Sequence, residues 1–205
     1  MIISSNIISS EMSSDAAGCG DRPALGLKSV KTMIDIKSIP TPSVVLSDNL
    51  HGWFARQIRR HEPGQYSHAM WFTSQRQFVS QDWRIHAVDP AEYFRGEHRL
   101  KFLYNPDLEN HRYAEEIEAV LARQVERGSR YDWLGIIGHL VGAPKINFKG
   151  RYYCSEAVWQ PFVEVLGYQQ WYPTPEDLNF WLPRMGWSTV LTFDPNQVPW
   201  PEIKF

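Results

Sequence analysis

The sequence of 205 residues has only two cysteines, and its formal net charge of −2 is small. Cys19 lies in a polar segment without clear periodicity, so we expect no structural disulfide with Cys154, and a reducing compartment is compatible with the composition. A nearly neutral chain gives no electrostatic case for binding nucleic acid. Zinc-ligand clusters and glycine-rich phosphate loops are also missing from the sequence, so we predict no metal and no cofactor.

Long apolar runs are missing too, and no stretch reaches the length of a membrane span. The first residues have no basic start followed by a long apolar core, so they form no convincing signal peptide and a cytoplasmic location is favoured. Residues 1–40 are rich in Ser, Asp, Gly and Lys and are predicted to be a disordered tail. Residues 41–205 are predicted to form one domain, long enough to bury a core. An alternative to a disordered tail is that the native chain begins at Met33, where the sequence becomes more regular.

The hydrophobic patterns predict an α+β fold, with a small antiparallel sheet that curves into a partial barrel and packs against helices. Alternating or short apolar runs predict strands at 43–47, 66–73, 78–80, 83–88, 100–104 and 187–193. Helical spacing predicts helices at 51–61 and 110–127, a third from Tyr131, a fourth after Cys154 and a short one that starts at Pro175. Asn110 and Thr174 are predicted to cap the second and the last of these helices.

Cys154 stands where a helical pattern begins, after two tyrosines. The unpaired N–H groups and the positive end of the dipole at a helix start stabilise a thiolate and lower the pKa of the thiol. The backbone N–H of Cys154 is also placed to bind an oxyanion that forms when the sulfur attacks a carbonyl. The competing interpretation is a buried, inert cysteine, which is common in proteins.

His68 is the histidine best suited to act as a base for this thiol among the seven in the chain. It lies on a predicted strand, where the backbone holds an imidazole rigidly. A single strand histidine is more often structural than catalytic. A cysteine at a helix start with a histidine on a central strand is nevertheless the arrangement that a papain-like thiol enzyme uses.

Several motifs in order make the chain resemble the circularly permuted branch of the NlpC-like, papain-fold cell-wall hydrolases, the group that includes YiiX and YaeF. The matching pieces are the opening strand 43–47 with its helix, Tyr66-Ser67-His68, Tyr131-Asp132 with Leu134-Gly135, Tyr153-Cys154-Ser155-Glu156, and Thr174-Pro175-Glu176-Asp177-Leu178. The resemblance covers roughly residues 42–182. It implies a histidine that precedes the cysteine, and here His68 lies 86 residues before Cys154 (154 − 68).

Two departures from the family pattern affect the expected site. Ala69-Met70 follows the histidine where the family tends to have Val-Gly, and a bulky Met70 is expected to narrow the groove. Pro161, seven residues beyond Cys154, is expected to remove one hydrogen bond from the cysteine helix and to kink it.

The residue that orients the imidazole depends on the register between the two predicted strands 66–73 and 78–80. A two-residue loop of Gln75 and Arg76 places Gln81 diagonally across from His68, and an amide oxygen accepts well from an imidazole N–H. A loop longer by one residue places Ser80 there instead. We prefer Gln81, so the predicted site is Cys154, His68 and Gln81.

The predicted function is therefore a cysteine-dependent hydrolase, a thiol peptidase or amidase. By resemblance, its substrate is an amide bond in a cell-wall peptide or peptidoglycan fragment, or an acyl ester or amide of a lipid. Two alternatives stay open: an acyltransferase that uses the same Cys–His pair, and a non-catalytic binding or structural module that keeps the fold.

Overall fold

The structure, a computed structural model, describes residues 33–52, 55–56, 64–129, 153–196 and 202–204. The predicted tail 1–32, most of the predicted helix 51–61 and the predicted helix that starts at Tyr131 lie outside the described residues.

Eight strands and four α-helices are described. The strands are β1 (Met33–Asp35), β2 (Ser43–Asn49), β3 (His68–Phe72), β4 (Phe78–Gln81), β5 (Ile85–Val88), β6 (His98–Tyr104), β7 (Ser188–Phe193) and β8 (Glu202–Lys204). The helices are α1 (Pro90–Arg95), α2 (Tyr113–Arg127), α3 (Cys154–Glu164) and α4 (Pro175–Trp181), with short 3₁₀ turns at Ile36–Ser38, Pro106–His111 and Leu182–Met185.

Six of the strands form one sheet in the order β5-β4-β3-β2-β6-β7. Every neighbouring pair in this sheet is antiparallel, with β2 flanked by β3 and β6 at the centre. The predicted α+β class with an antiparallel sheet is therefore confirmed. Within the described residues, β1 and β8 form a separate parallel pair, which the sequence patterns did not predict.

Side chains of β2 and β3 alternate between two apolar clusters, one on each face of the sheet. Leu46 and Trp71 point to the face covered by the helices, where they join residues of α2, α3 and α4. Val45 and Met70 point to the other face, which is dominated by phenylalanines. Both faces are thus buried, and the sheet is a rigid support for side chains at its ends.

Helix ends follow local signals to different degrees. Thr174 and Asp177 form a capping box at α4, as expected for that sequence. The predicted cap Asn110 is wrong, because the chain first makes the 3₁₀ turn after Pro106 and α2 begins only at Tyr113. None of the helices in the described parts of the chain is long and apolar enough to cross a membrane.

The predicted boundary between tail and domain after residue 40 is too late. Ile34, Ile36 and Ile39 are buried in the phenylalanine-rich cluster. The Arg76 guanidinium also donates to the carbonyl oxygen of Ile39 at 2.6 Å. The domain therefore includes the chain from Met33 onward.

The turn between β3 and β4 is one residue longer than the preferred interpretation assumed. Thr73 N–H donates to the Gln77 carbonyl at 3.0 Å, so residues 74–76 form a three-residue loop. Arg76 closes it with φ of 60°, the left-handed conformation that such loops require and that a glycine usually supplies. Because the loop is longer, Trp71 pairs with Val79 and Phe72 with Phe78.

Pro161 lies inside α3, as the sequence required, and the carbonyl that loses its helical donor has another partner. A proline at 161 cannot donate to the carbonyl of Ala157. The side-chain amide of Gln124 on α2 donates to that oxygen instead, at 3.2 Å. One turn of the cysteine helix is thus completed by the neighbouring helix.

Candidate active site

Cys154 is the first residue of α3, as the helical pattern predicted. Tyr153 precedes it in an extended conformation and gives the helix no side-chain cap. The first N–H that finds a helical partner is that of Ala157, which donates to the Tyr153 carbonyl at 3.0 Å. The first N–H groups of a helix have no carbonyl one turn earlier to donate to, so they are available to other acceptors at its start. Two backbone N–H groups, those of Ser155 and Ala69, hydrogen-bond the sulfur.

His68 begins β3 and is in hydrogen-bond contact with the Cys154 thiol. Burial acts to lower the pKa of His68, but the negative sulfur of Cys154 and its hydrogen bond, helped by Asp82, raise that pKa to about 9. Burial acts to raise the pKa of the Cys154 thiol, but the positive imidazole and the hydrogen bonds to the sulfur bring it below its ordinary value. The two shifts therefore favour the thiolate and imidazolium forms of the pair over the neutral forms.

The other side of the His68 ring meets Ser80 on β4. The Nε2 atom of His68 lies 2.8 Å from Ser80 Oγ, and the Ser80 side chain is 1% exposed. The carboxylate of Asp82 lies 3.7 Å from the same ring nitrogen. Because Nε2 faces these two groups, Nδ1 is left for the sulfur. The imidazole is thus held between a nucleophile on one side and a hydroxyl with a carboxylate on the other.

Gln81 does not take the position across from His68 that the preferred register gave it. The observed pairs Trp71–Val79 and Phe72–Phe78, extended along the two strands, set Asp82 against His68 and Gln81 against Ala69, on the other face of the sheet. Gln81 is buried there, 2% exposed, beside a small cavity behind Cys154. The contact with the imidazole belongs to Ser80, the alternative that the longer loop implied.

The small cavity behind Cys154 is too small for a substrate. It is lined by residues of β3, β4 and α3, among them Trp71, Gln81 and Ala157. It has room for about one water molecule. The cavity is therefore a packing feature of the core behind the sulfur.

Two further polar residues surround His68, and neither was singled out from the sequence. The hydroxyl of Tyr93 on α1 lies 3.1 Å from Ser80 Oγ, and its ring lies parallel to the His68 ring at a centroid distance of 6.5 Å. His98 on β6 packs against the Tyr93 ring at 4.8 Å. Burial, and then the positive charge of His68, lower the pKa of His98. A tyrosine in a short helical turn and a histidine at a strand start carry no motif by which sequence could identify them.

Within the described parts of the chain, no group of three or more His, Cys, Asp or Glu side chains is arranged to hold a metal ion. The chemistry that the described residues can supply is that of the thiolate and imidazolium themselves, with backbone N–H groups at the helix start.

No family model matches the chain, and a search of curated proteins found no match to it. Among solved structures, the chain is similar to the crystal structure of the metalloprotein YiiX from Escherichia coli O157:H7, DUF1105. The two are 14% identical with a TM-score of 0.48, and the match covers 62% of this chain and 66% of that chain, just under two thirds. At this distance the similarity assigns neither activity nor ligand to the present chain.

Proposed function

We propose that this chain is a cysteine-dependent hydrolase of amide or acyl bonds, with Cys154 as nucleophile and His68 as general acid and base. The observation that carries the proposal is the contact of a thiol at a helix start with a strand imidazole, with the pKa of the thiol lowered and that of the imidazole raised. A thiol that only fills space in a core has no reason to be ionised. Perturbed pairs of this kind concentrate at functional sites.

The first half of the reaction forms an acyl-enzyme. The Cys154 thiolate attacks the carbonyl carbon, and the oxyanion that forms accepts hydrogen bonds from N–H groups at the start of α3. The His68 imidazolium gives its Nδ1 proton to the leaving nitrogen or oxygen. The carbon–nitrogen or carbon–oxygen bond breaks, and a thioester on Cys154 remains with a neutral imidazole beside it.

The second half returns the pair to its starting state. His68 takes a proton from water while the water oxygen attacks the thioester carbon. The carbon–sulfur bond breaks, which releases the carboxylic acid and leaves a thiolate beside an imidazolium. In both halves the Nε2 atom of His68 stays beside Ser80 Oγ, and the proton that moves is the one on Nδ1.

The substrate class and the finer fold assignment follow the sequence resemblance. An antiparallel sheet with the histidine on a central strand, and a cysteine helix packed on that sheet later in the chain, support a permuted papain-like, NlpC-like arrangement. We propose an amide bond in a cell-wall peptide or an acyl ester or amide of a lipid as the substrate.

The test is the pH dependence of Cys154 alkylation by iodoacetamide, in a Cys19→Ser chain so that one thiol is counted. We expect the parent to react well below pH ~8.5, the pKa of a free cysteine. Cys154→Ser should lose the label and all turnover of acyl and peptide substrates, and should stay folded because serine is well tolerated at a helix start. His68→Ala should shift the alkylation midpoint up toward pH ~8.5 and also abolish turnover.

His51→Ala is the matched control, because His51 is an exposed histidine whose partner is Glu97 at 3.1 Å. It should leave both the alkylation midpoint and turnover unchanged. An ordinary thiol midpoint in the parent would contradict the proposal and favour the binding-module alternative.

Products formed with an added amine acceptor separate hydrolysis from acyl transfer. A stable amide product in place of the acid would identify a transferase.

A further inference from the structure

A chain of contacts continues beyond His68 into the core. His68 Nε2 lies 2.8 Å from Ser80 Oγ, and Ser80 Oγ lies 3.1 Å from the hydroxyl of Tyr93. Ser80 and Tyr93 are both buried, 1% and 8% exposed. In the described part of the chain, the titratable groups that act on His68 or feel its charge are Cys154, Asp82 and His98, with Tyr93 stacked beside it.

The serine hydroxyl by itself does not determine which ring nitrogen carries the proton. A hydroxyl has one hydrogen and two acceptor lone pairs, so Ser80 can either accept from Nε2–H or turn and donate to a bare Nε2. Only the first arrangement suits the Cys–His pair, because Nδ1 must be free to give and take the proton that the reaction moves. A second partner that accepts the Ser80 hydrogen would remove the ambiguity, and the Tyr93 hydroxyl oxygen lies within reach of it at 3.1 Å.

The Tyr93 ring is held where it can be that partner. It packs edge-on against Phe78 of β4 at 5.3 Å and against His98 at 4.8 Å. The start of α1, the helix that carries Tyr93, is fixed by its cap. The Asp89 carboxylate accepts a hydrogen bond from the Ala91 N–H at 2.9 Å, and Pro90 occupies the first helical position. The phenol oxygen is therefore pinned beside Ser80 by the core.

We propose that Tyr93 is a positioning residue: its hydroxyl oxygen accepts the hydrogen of Ser80, so that Ser80 presents lone pairs to His68 and keeps the imidazole proton on Nε2. The consequence for turnover rests on the proposed function, whereas the state of the imidazole is measured without any substrate.

The experiment combines nitrogen NMR of the His68 ring with the alkylation rate of Cys154, in the full chain carrying Cys19→Ser. Tyr93→Phe keeps the ring and removes the hydroxyl. At a pH above about 9, where the imidazole is neutral, we expect the Nε2–H form of His68 to lose its dominance. Alkylation at pH 7 should slow about three- to tenfold, the equivalent of one hydrogen bond. Ser80→Ala should have at least this effect, and Tyr93→Phe added to Ser80→Ala should change nothing further.

Two further variants separate positioning from packing. Tyr104→Phe removes the hydroxyl of another buried tyrosine, one that donates to Glu109, and should leave His68 and Cys154 unchanged. If Tyr93→Phe fails to fold, 3-fluorotyrosine at position 93 keeps the shape and weakens the acceptor, and should shift the His68 tautomer in the same direction by less. An unaltered His68 in Tyr93→Phe, or equal effects of Tyr93→Phe with and without Ser80, would overturn the proposal. If the Nε2–H form of His68 dominates in the parent but the parent turns over no substrate, only the proposed hydrolase function is refuted.

Discussion

At the scale of single residues, the Cys154 thiol raises the pKa of the His68 imidazole, and the imidazole lowers the pKa of the thiol. Burial disfavours the charged form of each group alone, and each group favours the charged form of the other. The pair therefore exists only between two limits of pH. Below the lowered pKa of the thiol the sulfur is protonated, and above the raised pKa of His68 the imidazolium is lost.

The first prediction is the shape of the pH–rate profile. Because the pKa of His68 is raised to about 9, turnover should stay high through neutral pH and fall as the pH rises through about 9, where the general acid is lost. The acid limb should lie well below pH ~8.5, where an ordinary thiol ionises. Measuring kcat/KM for one acyl substrate from pH 4 to 11 tests this. A profile that falls near pH ~6.5, the value of an unperturbed imidazole, would contradict it.

Residue-level sequence reasoning correctly located the contact partners Cys154 and His68 on a helix start and a strand, and selected the wrong neighbour on β4. The sequence analysis preferred Gln81, one position beyond Ser80, because it assumed a shorter turn between β3 and β4. Arg76 adopts the left-handed conformation, with φ of 60°, at a place where no glycine or asparagine signals it. Its guanidinium is held by the carbonyls of Ile36 and Ile39, a contact 37 or more residues away in sequence. Local propensity cannot reveal a turn that is fixed by such a distant contact.

At the scale of elements, the cysteine helix depends on its neighbour. Pro161 removes the backbone donor for the Ala157 carbonyl, and Gln124 of α2 supplies a side-chain donor in its place. The Trp71 indole of β3 donates to the next carbonyl, that of Val158, at 3.0 Å. The orientation of α3, and with it the position of Cys154, is thus set by hydrogen bonds from both a helix and the sheet.

The second prediction concerns the Gln124 side chain, which donates to the Ala157 carbonyl in place of a backbone N–H at position 161. Gln124→Leu should lower the free energy of unfolding by about 1–3 kcal/mol, because it leaves the buried Ala157 carbonyl without its donor. Pro161→Ala restores a backbone N–H at the right place, so the cost of Gln124→Leu should be smaller in that background. Urea unfolding of the two single variants and the double variant measures the coupling. Strictly additive costs would show that Gln124 acts by packing alone.

Most described elements were predictable from local patterns, and the exceptions share a cause. Strands β2 to β7 alternate or carry short apolar runs, and α4 has its capping box in the sequence. The start of α2 was misplaced because Pro106 and Asn105 favour a 3₁₀ turn first. The short strands β1 and β8 exist through pairing with each other across the length of the chain, which no local window contains.

At the scale of the whole molecule, the segment before β2 completes the second face of the sheet. Ile36 is 1% exposed, and it lies with Ile34 and Ile39 in the cluster of Met70, Phe72 and the phenylalanines. Burial of three such side chains contributes about 1.5–3 kcal/mol each. The face therefore depends on residues that composition alone assigned to a tail.

The third prediction follows as a pair of truncations. A chain that begins at Met33 should unfold at nearly the same temperature as the full chain, since the sequence before it has little hydrophobic periodicity. A chain that begins at Thr41 should lose more than about 10 °C, because three buried isoleucines go with the segment. Thermal unfolding followed by circular dichroism distinguishes the two. Equal melting temperatures for both truncated chains would show that the segment 33–40 adds nothing to stability.

The order of histidine before cysteine has a consequence for the protein while it is being made. Both strands that pair with β3 precede residue 154, so the imidazole and its supports leave the ribosome first. The 86 residues from His68 to Cys154 take roughly ten seconds to synthesise, whereas a β-hairpin closes in about 10 μs. We therefore expect the nucleophile to be the last part of the site to be made, and the nascent chain to carry no reactive thiolate until the strand that ionises it is already in place.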